Sequence, residues 1–158
     1  MIEEPPNPKF LADENVAKLG KWLRILGYDV AYRSPATDAQ LALLALREGR
    51  VILTRDRGFL ERRMAEKCLL IESQDAVEQL QQVIQTLGLK PERDRLFTRC
   101  LSCNVLIVPI PKAEVRSVVP DYVYKNHDEF HRCPTCERLF WKGSHTKNFQ
   151  KWFREIDN

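Results

Sequence analysis

Four cysteines fall in two pairs, Cys100-Leu101-Ser102-Cys103 and Cys133-Pro134-Thr135-Cys136, and three aspartates, Asp13, Asp38 and Asp56, each stand near a short apolar run. The two sets point to two chemistries. A Cys-x-x-Cys turn offers two thiolates to one ion at about 2.3 Å, and two such turns complete the tetrahedral shell of a structural Zn²⁺ site with no position left open for substrate. The 29 residues between the pairs exceed the commonest two-knuckle spacing, so additional structure is expected there. Two disulfides or a thioredoxin-like redox motif would use the same residues, but a redox Cys-x-x-Cys occurs once, beside a βαβ pattern, and not twice. With four sulfurs present, His127, His131 and His145 are surplus to the shell. The aspartates are hard oxygen donors of the kind that hold Mg²⁺ or Mn²⁺ together with water. Converging on one edge, they would repel one another unless a cation neutralised them, and such a site can clamp a phosphodiester and activate water against it. Taken singly, each aspartate serves as well as a helix cap.

The elements that would position these residues follow from periodicity. Lys9-Phe10-Leu11-Ala12 reads as a buried strand ending at Asp13, and Val16, Leu19, Leu23 and Leu26 mark a helix stopped by Gly27. Val30-Ala31-Tyr32 is a second strand, and Thr37 or Asp38 caps a helix that carries Leu41, Leu44 and Ala45 and ends at Gly49. A third strand, Val51-Ile52-Leu53-Thr54, precedes a helix expected over 59–65. Cys68-Leu69-Leu70-Ile71 is a fourth strand, and a fourth helix runs from Ala76 to Leu87 before Gly88. Four strand–helix alternations with short connections predict an α/β domain built on a parallel sheet. The aspartates then lie on its carboxyl edge, where ligands bind in such sheets.

The polar stretch Lys90–Arg95 reads as a linker, which divides the chain into a domain over 1–92 and a zinc-held module over 93–158. In the module, Val105–Val108 and Leu139–Trp141 follow the knuckles as ribbon strands would. A last helix opening at Ser144 sets Phe149, Trp152, Phe153 and Ile156 on one face, better suited to packing than to base stacking.

Net charge is +3, with residues 1–96 neutral at fifteen basic against fifteen acidic side chains and residues 97–158 carrying ten against seven. A zinc with four thiolates adds about two negative charges, so any nucleic-acid footprint must come from local patches. The N-terminal Met1–Pro8 is acidic and proline-rich with no apolar run behind it, unlike a secretory signal. No stretch has the length of a membrane span. Cysteines in metal spacing suit a reducing compartment, so the expected location is the cytoplasm, with Cys68 as a buried thiol.

Phe10-Leu11-Ala12-Asp13, Trp22-Leu23-Arg24-Ile25-Leu26-Gly27-Tyr28-Asp29, Asp38 and Leu53-Thr54-Arg55-Asp56 resemble the C-terminal ribonuclease domain of the Mut-seven exonuclease, a PIN-like family that also occurs as free-standing prokaryotic proteins. Phe97–Asn104, the second cysteine pair and Phe140-Trp141-Lys142-Gly143-Ser144-His145 resemble that family's appended zinc ribbon. The likeness runs from Lys9 onward. It implies a PIN-like fold and metal-dependent RNA cleavage, with Asp13, Asp38 and Asp56 at the acidic positions and Glu14 as the nearest candidate for a fourth. One departure is the first helix, where Ala17 and Gly20 stand in the reverse order of the family's small residues.

Substrate contacts are expected from Arg24, on the helix face of Ala17 and Gly20, from Arg55 and Arg57 beside Asp56, and from Lys147 and Lys151 on the last helix. One of Arg55 and Arg57 is expected to pair with the acids and the other to meet phosphate. His145 follows Gly143-Ser144 at a helix start, where free N–H groups favour an anion. The function expected is a metal-dependent ribonuclease whose RNA is held partly by the ribbon. The alternative is a non-catalytic RNA- or protein-binding adaptor on the same scaffold, since fold alone does not guarantee chemistry. A phosphoryl-accepting receiver-like domain lacks the lysine it would need at the end of a fifth strand.

Overall fold

The computed structural model describes residues 7–61 and 67–156. Its chain divides into two compact units, Met1–Asn104 and Val105–Asn158. In the first, β1 (Lys9–Ala12), β2 (Val30–Tyr32), β3 (Arg50–Thr54) and β4 (Cys68–Leu70) form a fully parallel sheet in the order β2-β1-β3-β4. The α/β class and parallel sheet expected from the sequence are therefore present. Helices α1 (Ala17–Ile25), α2 (Asp38–Glu48), α3 (Arg57–Glu61) and α4 (Ala76–Leu87) connect or follow the strands. Residues 62–65 of the expected third helix lie outside the described residues. Burial explains the order: β1 and β3 occupy the centre, and Phe10, Leu11, Ala12, Ile52 and Leu53 are inaccessible to water, as strands covered on both faces require.

Local signals fix the helix ends. Thr37 accepts from the Gln40 backbone N–H while the Gln40 side chain accepts from Thr37, a reciprocal cap on α2, and Gly49 closes that helix in the left-handed region at φ 67°. Asp75 caps α4 by accepting from Val77 and Glu78.

The first unit runs past the expected boundary at residue 92 and takes in the first cysteine turn. Gly27 has φ 92°, and a Cβ there would lie 2.6 Å from the Arg95 carbonyl oxygen, so the backbone of 93–97 passes directly over it. Phe97 donates its N–H to Ile25 and Arg99 its Nε to the Gly27 carbonyl. Asn104 accepts from the Val30 N–H at 2.9 Å and donates to the Asp29 carboxylate, which also pairs with Arg50 at 2.8 Å. Burial alone would raise the Asp29 carboxyl, but the Arg50 and Asn104 hydrogen bonds outweigh it and hold the group below its ordinary range.

In the second unit, β5 (Val108–Ile110), β6 (Phe130–Arg132) and β7 (Leu139–Phe140) form an antiparallel sheet in that order. The first ribbon strand starts at Val108, not at Val105. It contains Pro109, which an edge strand tolerates because the missing N–H faces away from the ladder. The additional structure expected between the knuckles is a 3₁₀ turn over Lys112–Val115 and α5 (Asp121–Asn126), whose Val115, Val119 and Val123 pack with Phe130. Helix α6 (Ser144–Ile156) buries Phe153 and half-buries Phe149 and Trp152, whose rings lie tilted at 55° with centres 5.0 Å apart, the packing role expected of that face. The side chains of His145 and Ile156 lie outside the described ones.

Each cysteine turn is followed by a residue in the left-handed region, Asn104 at φ 68° and Glu137 at φ 63°, whose N–H returns to the carbonyl of the first cysteine, at 2.8 Å for Cys100 and 2.9 Å for Cys133. Asparagine tolerates that conformation; glutamate pays roughly 1 kcal/mol for it. Glu137→Gly should therefore raise the unfolding free energy by roughly 0.5–1 kcal/mol in the zinc-loaded protein, read as a higher midpoint in urea with an unchanged slope.

Candidate active site and metal centre

Asp13, Asp38 and Asp56 follow β1, β2 and β3, three adjacent strands, and so stand along one carboxyl edge of the sheet. Asp13 is 9 % exposed. Its N–H extends the ladder to the Leu53 carbonyl at 3.0 Å. Its Oδ1 accepts from the Glu14 N–H at 2.8 Å, capping the 3₁₀ turn that leads into α1. Its Oδ2 accepts from the Thr54 hydroxyl at 2.7 Å and from Asn15 Nδ2 at 3.4 Å.

Thr54 is the residue that sequence reasoning missed. Fully buried at the end of β3, its hydroxyl donates to Asp13 and accepts the Asp56 N–H at 3.0 Å. One oxygen thus couples the carboxylate at the end of β1 to the turn that carries the carboxylate after β3. Asp56 then accepts from the Gly58 N–H at 2.9 Å and starts α3. Asn15 accepts from the Arg55 N–H at 3.2 Å, a second cross-link between the same two loops. The available signal was the Thr-x-Asp spacing at a strand end, where a hydroxyl can serve two partners at once.

Asp38 occupies the first turn of α2, one residue after the Thr37 cap. Glu14 reaches toward the same connection and accepts from the Ser34 hydroxyl at 3.2 Å. Among the described residues, the three aspartates do not close to metal-ligand spacing.

The cysteines do. The sulfurs of Cys100, Cys103, Cys133 and Cys136 all lie within 4.8 Å of one another, the one such group of three or more His, Cys, Asp or Glu among the described residues. A tetrahedron with bonds of about 2.3 Å places its sulfurs about 3.8 Å apart, so a cluster within 4.8 Å fits a metal such as zinc. The Thr135 and Cys136 N–H groups point at the Cys133 sulfur at 3.4 Å each, favouring its thiolate. No disulfide joins any of the five cysteines.

A family model described as the Mut7-C RNAse domain matches residues 8–153. The chain belongs to the Mut7-C RNAse domain family. No curated protein and no solved structure gives a significant match to it. Membership in the Mut7-C RNAse domain family suggests a ribonuclease-type function with RNA as the substrate class. No helix among the described residues is long and apolar enough to cross a membrane.

The basic residues of this Mut7-C RNAse domain divide sharply. Arg24, expected to meet phosphate, is 8 % exposed and spends its guanidinium on backbone: Nε and Nη2 donate to the Val30 carbonyl at 2.9 and 2.7 Å, and Nη1 to the Leu101 carbonyl at 2.6 Å. Burial lowers its pKa, with the Cys100 and Cys103 charges working in the other direction. It therefore braces β2 and the first cysteine turn. The face it shares with Gly20 is likewise a packing face, since a Cβ on Gly20 would lie 3.0 Å from that of Ala12. Arg55 is half-buried beside the acidic edge, and its Nε is buried with no partner among the described residues. Arg57, Lys147 and Lys151 are exposed.

Cys68, half-buried against the cluster of Leu11, Leu41, Ile52 and Phe59, has its thiol pushed up to about 11, first by burial and then by the Asp13 charge. Its ordinary value is 9.0, so the thiolate fraction at pH 8 falls by about two orders of magnitude. In the zinc-loaded protein, iodoacetamide at pH 8 should modify Cys68 at least about a hundredfold more slowly than free cysteine, followed by mass spectrometry of the peptide.

Proposed function

We propose that this protein is a PIN-like, metal-dependent ribonuclease that hydrolyses RNA phosphodiester bonds at the carboxyl edge of β2, β1 and β3. Asp13, Asp38 and Asp56 hold Mg²⁺ or Mn²⁺, while the four cysteines hold a structural Zn²⁺. The reading rests on one observation above all, the Thr54 hydroxyl that fixes Asp13 and the Asp56 turn to each other. Mg²⁺ keeps several waters and is commonly held through one or two carboxylates plus substrate phosphate, so Asp13 and the Asp56 turn, linked through Thr54, with Asp38 on the same edge, suit it. When bound, the divalent ion supplies charge for the developing phosphoryl oxygens and a more acidic water.

The protein's own groups orient and hold. Asp13 keeps both oxygens pinned by donors and so cannot turn away from the edge. Arg55, with an unused buried donor, and Arg57 offer cationic contacts to the phosphodiester. Lys147 and Lys151 on α6 supply backbone phosphate contacts in the zinc-ribbon part. A reducing cytoplasm keeps the cysteines available as ligands.

That the three carboxylates do not close to metal-ligand spacing among the described residues favours one second reading, an RNA- or protein-binding adaptor with an inert acidic edge. Calorimetry of zinc-loaded protein with Mn²⁺ separates the two. The ribonuclease should bind Mn²⁺ in a way that Asp13→Asn/Asp56→Asn abolishes, with loss of RNA cleavage in parallel. Equal Mn²⁺ heats from both proteins would leave the adaptor.

A further inference from the structure

Beside the acidic edge, the β2–α2 connection and α2 enclose a half-open cavity of about 360 Å³, in the lower part of the range typical of small-molecule sites. Its apolar wall is Pro35, Ala36, Leu41 and Leu44, and its two cationic walls are Arg33 and Arg47. Among the described residues neither guanidinium has a carboxylate partner. Unpaired arginines flanking an apolar floor do not serve a core. They match a ligand with a flat apolar body and an anionic end, because a guanidinium stacks on aromatic faces and forks onto phosphate.

Gln40 adds direction. Its Oε1 is occupied by the Thr37 N–H at 2.9 Å, so the amide is pinned and Nε2 is the atom left to donate to a ligand. Location supplies the rest. Arg33 follows β2 on the same edge as Asp13 and Asp56, and Asp38 shares the first turn of α2 with Gln40. The Ser34 hydroxyl, between Arg33 and Pro35, is tied to Glu14, the neighbour of Asp13.

We infer that this cavity is a nucleotide subsite for single-stranded RNA: a base lies on Pro35 and Leu44, its edge accepts from Gln40, and Arg33 and Arg47 hold the flanking phosphates. The inference rests on the ribonuclease reading for its choice of RNA, and it adds the means by which the acidic edge would receive an unpaired strand.

The test uses the full zinc-loaded chain in buffer without other divalent cations, so that binding is read without cleavage. The probes are adenosine 5′-monophosphate, inorganic phosphate and a fluorescent single-stranded oligoribonucleotide. The nucleotide should bind at least about tenfold more tightly than phosphate. Arg33→Ala/Arg47→Ala should weaken it about tenfold or more, with an unchanged melting temperature because both side chains are exposed. Arg33→Lys/Arg47→Lys should restore only part of the affinity. The salt dependence of oligoribonucleotide binding should flatten by roughly 1.4 in log–log slope, the value for two lost phosphate contacts on a single strand. Nucleotide affinity that is indifferent to the arginines, or equal to that of phosphate, overturns the subsite. A phosphotyrosine peptide that binds more tightly than the nucleotide overturns the choice of RNA. Arginine-dependent nucleotide binding in a chain that never cuts RNA would retain the subsite and remove the ribonuclease reading, whereas cleavage with unaltered binding would do the reverse.

Discussion

Asp13→Asn will lower RNA cleavage at least about a hundredfold, the scale on which single electrostatic contributors to catalysis act, while the protein stays folded. Asparagine keeps an oxygen for the Glu14 N–H, and the Thr54 hydroxyl can rotate to accept from the new amide while still meeting the Asp56 N–H. What disappears is one negative charge at the end of β1. Thr54→Val is the informative companion, because it removes no charge. The valine fills the same fully buried space, yet Asp13 loses its shortest donor and the Asp56 N–H loses its acceptor, a cost of about 1–3 kcal/mol. Cleavage should fall through loosening of the Asp56 turn, and unfolding should come earlier. Single-turnover cleavage and urea titration on the two variants therefore give distinguishable patterns: activity lost at near-constant stability for Asp13→Asn, both reduced for Thr54→Val. A fully active Asp13→Asn protein would remove the acidic edge from the chemistry.

The second large effect concerns the metal of the cysteine cluster. Cys100 and Cys133 are fully buried, and without an ion four sulfurs within 4.8 Å must stay protonated or repel. Zinc binding to such sites carries roughly 10–16 kcal/mol of apparent free energy, comparable to the whole stability of a domain at about 5–15 kcal/mol. Chelation, or Cys100→Ser, should collapse the cooperative thermal transition or lower it by about 10 °C or more, following several kcal/mol at about 2–4 °C each. Metal content by emission spectroscopy, beside near-ultraviolet dichroism, checks this, with one zinc per chain expected. An unchanged melting curve in the metal-free protein would show that the cluster contributes nothing to folding.

Strand and helix positions were legible where local chemistry fixed them. The βα alternation, the Thr37 and Gly49 caps and the strand ends at Ala12, Tyr32 and Thr54 follow from periodicity and capping, which act within a few residues. The three carboxylates could be assigned to one edge because right-handed parallel connections leave little choice. Arg24 was not legible. A charged residue beside a small-residue stripe looks like a ligand contact, and its true partners, the carbonyls of Val30 and Leu101, are backbone groups that every sequence possesses. The membership of 93–104 in the first unit was hidden for the same reason. Its attachments at Gly27, Asp29 and Val30 are single long-range hydrogen bonds that leave no periodic trace, and Lys90–Arg95 carries the polarity of a linker whether or not it is one. The first ribbon strand was placed too early because Val105–Val108 is the more apolar run, while the ladder uses Val108–Ile110 and accepts Pro109 at its edge.

The grip of Asn104 on Asp29 and Val30 has a bearing on how such proteins can be recombined. A seam placed in the proline-containing polar stretch would look natural to anyone swapping modules, yet it would strip Val30 at the start of β2 of the acceptor for its amide and Asp29 of a donor to its carboxylate. A graft that respects the molecule has to carry the first thiolate turn along with the sheet.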